Sequence, residues 1–193
     1  MGDGRPRRQP HAHRPPRIDP GRGRSMSVRT TSTVHTVIDS PLGPLTLVAD
    51  DGRLAALYMT DQRHLPPDTR LGDEVPAGDP VFAGAVRELR EYFAGERTTF
   101  DVELSPRGSD FQRAVWLRLR EIPFGVTTTY GTIAADLGLP PSAARAVGGA
   151  VGRNPLGVVV PCHRVVGANG ALTGYAGGLE RKVWLLEHEG VLV

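Results

Sequence analysis

The chain has 193 residues, 39% of them hydrophobic and 23% charged, with a formal net charge of +2; this is room for one ordinary domain or two small ones, and no apolar run approaches a membrane span. The charge is uneven: residues 1–25 hold seven arginines and two acids, residues 26–105 seven basic and thirteen acidic side chains, and residues 106–193 nine and six, so any phosphate-binding potential lies in the C-terminal half, where a solvated surface is the competing reading. A single cysteine excludes an intramolecular disulfide and any cysteine-cluster metal site, and the arginine-rich N-terminus lacks the apolar segment of a secretory signal, so a cytoplasmic protein without metal is expected.

Residues 1–25 contain almost nothing apolar to offset the entropy of ordering them and are predicted to be disordered. They read as an arm that touches DNA, a passive tail, or sequence upstream of a working start at Met26. From Val34 to Thr60 the pattern alternates and is β-branched, with turn signals at Ser40 to Pro44 and at Asp50-Asp51-Gly52. About three antiparallel strands are predicted. A loop rich in Pro, Asp and Gly runs to Gly78; Asp79 is then placed to cap a helix whose Val81, Phe82, Ala85, Leu89 and Phe93 recur at helical spacing, ending near Gly95. Thr98 to Leu104 alternates again and is expected to pair with the sheet. Pro106, Gly108 and Ser109 read as a linker, which separates a scaffold domain at 26–105 from a second domain at 106–193.

The second half opens with a helix that Ser109 or Asp110 caps, carrying Phe111, Val115, Trp116 and Leu119 on one face and ending before Pro123. A short helix from about Gly131 to Leu137, the Pro140-Pro141 turn and a helix from about Ser142 to Gly152 make a helix-turn-helix candidate. Leu156 to Val160 reads as an apolar strand leading into Pro161-Cys162-His163-Arg164, and a last helix spans Leu179 to Glu189. The overall expectation is an α+β fold.

Two features point to chemistry. Cys162 sits between a proline and a histidine; a lone cysteine is usually a small buried hydrophobe, but nucleophilic sulfur needs a partner that favours the thiolate, and His163 is the nearest base. Neighbouring side chains of an extended segment point apart, so either the chain bends at Pro161 or a water links the two, and the water is expected. A carboxylate should hold the other ring nitrogen, and both Glu187 and Glu189 are within reach by sequence. The second feature is a helix with almost no side-chain bulk at Ala143, Ala144, Ala146, Gly148, Gly149 and Ala150, around one long side chain, Arg145. Interior glycines cost a helix roughly 1 kcal/mol each relative to alanine, so something requires the thinness. Close helix packing is one answer, and insertion into a groove only about 6 Å wide is the other.

The ordered set Tyr130-Gly131, Ala144-Arg145-Ala146-Val147-Gly148-Gly149, Asn154-Pro155, Pro161-Cys162-His163-Arg164-Val165, Thr173-Gly174-Tyr175-Ala176-Gly177-Gly178-Leu179 and Trp184-Leu185-Leu186-Glu187-His188-Glu189 closely resembles the O6-alkylguanine-DNA alkyltransferases, also called methylated-DNA-protein-cysteine methyltransferases. The resemblance spans about residues 109 to 190, and a looser one covers 34 to 104. It implies a small ribonuclease H-like N-terminal domain of antiparallel sheet and helix, and a winged-helix-like C-terminal domain containing the helix-turn-helix. It also implies a suicidal transferase, used once, that moves the alkyl group from O6-alkylguanine, and from O4-alkylthymine, in double-stranded DNA onto its own cysteine after the base is flipped out. Position by position, Cys162 is the acceptor, His163 its base through a water, and Glu189 rather than Glu187 orients the histidine. Arg145, on the helix of Ala144, Ala146, Gly148 and Gly149 in the minor groove, fills the gap left by the base. Tyr130 crowds the target phosphate. Asn154 braces the turn before the active-site strand, Tyr175 lines the pocket, the backbone at Ala176 meets the guanine oxygen, and the carbonyls of Cys162 and Val165 meet its amino group. A monomer without cofactor is expected.

The stretch from Tyr130 to Arg145 is one residue longer than the family pattern, at Leu139-Pro140-Pro141, and the cysteines with which some members bind zinc in the N-terminal domain are missing. Three other readings compete. A damage-recognition protein of the same fold lacks the cysteine, a helix-turn-helix transcription factor has no use for Cys162, His163 and Glu189, and a cysteine hydrolase leaves the thin helix with Arg145 unexplained.

Overall fold

The computed structural model describes residues 1–2, 32–67 and 70–192. Nearly all of the arginine-rich segment 1–25 therefore lies outside the described residues. Residues 31–193 form one compact unit.

Strands β1 (Thr33–Ile38), β2 (Leu45–Asp50) and β3 (Arg53–Met59) make an antiparallel meander. Asp50 pairs with Arg53, and the two residues between them, Asp51 and Gly52, both have left-handed φ (49° and 78°), as a tight two-residue hairpin requires. The sheet is mixed rather than wholly antiparallel, because β4 (Asp73–Glu74) joins the free edge of β1 in parallel, giving the order β3-β2-β1-β4. Gly72 makes this approach feasible: it has φ +77°, and a Cβ there would lie 1.9 Å from the Thr33 carbonyl oxygen.

Helix α1 (Ala83–Phe93) contributes Ala85, Val86, Leu89 and Tyr92 to the core, with Phe82 just ahead of it. Asp79 is not its cap. The Asp79 carboxylate accepts from Val81 N at 2.9 Å and starts the turn before the helix. Thr98 to Leu104 is not a strand either: its one backbone pairing with the sheet among the described residues is an isolated bridge between Leu54 and Leu104, beside an exposed Arg53–Glu103 ion pair. Side chains satisfy its backbone instead: Asp101 N donates to the buried Glu88 carboxylate at 2.8 Å, and the Thr99 carbonyl accepts from Arg97.

Helix α2 (Asp110–Arg120) is capped by Ser109, reciprocally with Gln112. Val115, Trp116 and Leu119 are buried, whereas Phe111, expected on the same stripe, is 38% exposed. Helices α3 (Tyr130–Asp136) and α4 (Ala144–Gly152) pack through Ile133, Ala134, Val147, Ala150 and Val151. A 3-10 turn at Pro141–Ala143 leads from the Pro140 turn into α4. Two pairs of residues, β5 (Thr128–Thr129) and β6 (Val165–Val166), add a small parallel ladder, and α5 (Leu179–His188) follows. One hydrophobic cluster runs from Ile38 to Leu185 through both halves.

Candidate active site

The segment expected as a strand, Leu156 to Val160, is a pair of tight turns. Val158 has φ +70°, and Val159 N donates to the Gly157 carbonyl across it at 2.9 Å. This is the left-handed γ-turn, and holding a β-branched residue there costs about 1–3 kcal/mol. Pro161, at φ −79° and ψ 63°, then forms an inverse γ-turn closed by Cys162 N to the Val160 carbonyl (2.8 Å). Residues Cys162–Arg164 continue as one 3-10 turn. The chain thus does bend at Pro161.

Asn154 governs that geometry. Its amide nitrogen donates to the Val160 carbonyl (2.8 Å) and lies 3.1 Å from Cys162 Sγ, while its oxygen accepts from Leu156 N (3.0 Å). Cys162 is 6% exposed. Burial pushes its thiol up from the ordinary value; the Asn154 N–H and the charge of Lys182 oppose that without cancelling it. The resting sulfur is therefore protonated, and its proton must leave during the reaction.

His163 is fully buried, with Nε2 2.8 Å from Glu189 Oε1. Burial alone would raise the Glu189 carboxyl, but hydrogen bonds from His163, Arg164 and Tyr92 hold it well below the usual carboxylate range. An ionised carboxylate only accepts, so Nε2 carries the proton, and in the neutral ring Nδ1 carries the lone pair. Among the described residues Nδ1 has no hydrogen-bond partner. Burial lowers the imidazole pKa against the opposing pull of Glu189, so the ring is neutral near pH 7. Here is a buried, neutral base with its free nitrogen unclaimed, one residue from a buried thiol. Glu187, the other carboxylate in reach by sequence, is exposed.

Residues 33–106 match the ribonuclease-like domain, and residues 110–191 the DNA-binding domain, of the 6-O-methylguanine DNA methyltransferases. The chain belongs to this family. A methylated-DNA–protein-cysteine methyltransferase of Mycolicibacterium paratuberculosis is 54% identical over 155 residues, covering 80% of this chain and 91% of the relative. One from Methanosarcina acetivorans is 47% identical, covering 81% and 97%. The crystal structure of the Mycobacterium tuberculosis O6-methylguanine methyltransferase aligns with a TM-score of 0.74 at 49% identity, covering 83% of this chain and 94% of that one. A structure of the M. tuberculosis protein in complex with DNA aligns with the same TM-score at 52% identity, covering 81% and 93%.

In this methyltransferase the remaining predicted residues fall into two groups. Arg145 and Ala146 are exposed on α4, while Ala144, Gly148 and Gly149 are half-buried there. A Cβ on Gly148 would lie 3.7 Å from the Tyr130 ring, and one on Gly149 would lie 3.5 Å from the mobile end of Arg153. Both are ordinary contacts, so packing within the chain does not require either glycine. Tyr130, at the start of α3, is half-buried, with its hydroxyl 3.4 Å from the Thr173 carbonyl. The pocket residues form the second group. Tyr175 is buried, its hydroxyl has no partner among the described residues, and burial pushes that phenol up. The half-buried Ala176 already accepts from Arg63 N through its carbonyl (2.9 Å). The Val165 carbonyl accepts from Lys182 Nζ at 2.6 Å and the Cys162 carbonyl from Val165 N, and a carbonyl oxygen carries two lone pairs. Among the described residues no group of three or more metal-ligating side chains converges. A cavity of about 570 Å³ lies between the sheet, α2 and residues 62–67 and 70–71; it reaches Asn154 but not Cys162.

Sequence reasoning gave no role to three residues that the fold brings here. Arg164 is buried and grips both Glu189 oxygens (Nε to Oε2 2.8 Å, Nη2 to Oε1 2.9 Å). Lys182 is fully buried and donates to the carbonyls of Val165 and Thr173 (2.6 and 3.0 Å). Tyr92 reaches Glu189 from α1 at 2.7 Å. Lys182 had a signal: with Leu185, Leu186 and Glu189 it occupies one face of α5.

Proposed function

We propose that this chain is a DNA-repair methyltransferase that works once, carrying the alkyl group from O6 of guanine, and from O4 of thymine, in duplex DNA to Sγ of Cys162. The observation that carries this reading is the arrangement of Asn154, Cys162, His163 and Glu189: a thiol beside a fixed N–H donor, with a neutral imidazole whose protonated nitrogen is tied to a carboxylate. A water bridging Sγ and Nδ1 takes the thiol proton to the ring. Sulfur then attacks the alkyl carbon and the carbon–O6 bond breaks, leaving its electron pair on the guanine, which takes up a proton from water while the imidazolium returns the thiol proton to solvent. The imidazolium is stabilised by Glu189, whose charge Arg164 balances at rest. The product is a thioether, which offers water no activated carbonyl, and there is no second thiol for exchange. Each molecule acts once.

The thin surface of α4 enters the minor groove, Arg145 takes the place of the flipped base, and Tyr130 crowds the phosphate of the target nucleotide. The contact between Tyr130 and Thr173 is long and exposed, so it opens at little cost when the base approaches. Tyr175, the Ala176 N–H and the second lone pairs of Cys162 and Val165 then meet the guanine. The protein acts as a monomer in the cytoplasm. The test uses a duplex with one O6-methylguanine. The restored fraction should equal the protein-to-lesion ratio, and Cys162→Ala should bind the duplex and restore nothing. Clearance of every lesion by a small amount of protein would mean a hydrolytic, multiple-turnover reaction instead.

A further inference from the structure

We infer that Tyr92, from the N-terminal half, is a positioning residue for this transfer: its hydroxyl binds the same Glu189 oxygen that holds the His163 proton, and so fixes the carboxylate for the base. The inference rests on the functional reading above and assigns the N-terminal half a part in it.

The geometry is crowded around one atom. Glu189 Oε1 accepts from Tyr92 Oη at 2.7 Å, His163 Nε2 at 2.8 Å and Arg164 Nη2 at 2.9 Å. Oε2 accepts from Arg164 Nε at 2.8 Å and Gly125 N at 3.2 Å. Among the described residues, Tyr92 is the one donor to this carboxylate from before residue 106. It reaches across 97 positions of sequence.

Its placement is over-determined. Tyr92 is fully buried, and its ring meets those of Phe93, Phe100, Phe124 and His188 at centroid distances of 5.4, 5.3, 6.1 and 5.1 Å. Its carbonyl accepts from His188 Nε2 at 2.8 Å, which ties the end of α1 to the end of α5 next to Glu189. Packing that a hydroxyl is not needed for thus aims that hydroxyl at the carboxylate.

A buried tyrosine that merely needs an acceptor would explain the bond as stability alone. Sharing one oxygen makes a different prediction. A donor on Oε1 withdraws negative charge from it, so the imidazolium gains less from Glu189. The charged and titratable groups around the His163 relay are Glu189, Arg164, Tyr92, Lys182 and Cys162. Of these, Tyr92 can lose its donor with ring packing kept, as Tyr92→Phe. His163 should then hold its proton more strongly and titrate at higher pH.

The experiment follows the imidazole of His163 by NMR in the full chain carrying Cys162→Ala, so that no transfer intervenes. Adding Tyr92→Phe should raise the His163 midpoint by about half a unit to one unit. Replacing Tyr92 by 3,5-difluorotyrosine, a stronger donor with the same shape, should lower it, and this variant carries the test if Tyr92→Phe does not fold. With Cys162 intact, the acid limb of the repair rate against pH should move with the NMR midpoint. An unchanged midpoint in these variants, with only the melting temperature reduced, would overturn the inference and leave the bond purely structural. Because the titration is read without transfer, that result leaves the proposed function standing, whereas failure of the parent protein to take up methyl would remove the proposed function itself.

Discussion

Replacing Gly148 and Gly149 by alanine separates the two explanations of the thin helix by sign. Both lie inside α4, and the added methyl groups would meet only the Tyr130 ring at 3.7 Å and the flexible end of Arg153 at 3.5 Å. Alanine is favoured over glycine in a helix interior by about 0.5–1 kcal/mol, so the double variant should gain roughly 1–2 kcal/mol. For a chain of this size that is a rise of roughly 2–8 °C in melting temperature. Binding to a lesion-containing duplex should weaken at the same time, because each methyl thickens the surface proposed to enter a groove about 6 Å wide. A thermal melt and a fluorescence titration with labelled duplex read the two effects independently. A lower melting temperature would mean that the fold itself needs the glycines; unchanged DNA affinity would remove the groove from the argument.

Asn154→Ala should strand the Leu156 N–H at roughly 1–3 kcal/mol, leave the Val160 carbonyl with Cys162 N as its remaining donor, and push the Cys162 thiol further up; a melt and the pH dependence of iodoacetamide labelling check these effects. Stability should fall on the acid side. His163 and Glu189 both titrate lower in the folded chain than their ordinary values of 6.5 and 4.5, so each contributes stability that is present above those values and lost as pH falls. The melting temperature should be level near neutrality, begin to drop below about pH 6.5 and drop further below 4.5. Arg145→Ala should leave the melt unchanged, since the side chain is exposed, and slow repair in single-turnover kinetics; repair at the parent rate would end its role as the residue that replaces the base.

How much of this was legible depended on the range of the interaction. Local signals were readable: the Asp51-Gly52 hairpin and the Ser109 cap are each set by a few adjacent residues. The family motif brought Cys162, His163, Asn154 and Glu189 together in sequence, and the fold joins them in space. Leu156 to Val160 was misread because apolar, β-branched residues suit a strand and a buried pair of turns equally; what decides is Asn154, whose side chain takes the bonds that a neighbouring strand would. The Thr98 to Leu104 segment failed alike, its alternation real but its backbone held by Glu88 and Arg97. Tyr92 was missed for a geometric reason. Periodicity favoured its neighbour Phe93 as the core residue, whereas the fully buried position is Tyr92, and its partner lies far along the chain.

The central claim is that the alkyl group ends on one sulfur and stays there. Intact mass and peptide mapping after exposure to excess O6-methylguanine duplex test it directly: the account predicts one methyl per chain, on the peptide containing Cys162, with no further gain on prolonged incubation. Guanine restored while Cys162 remains unmodified would contradict it.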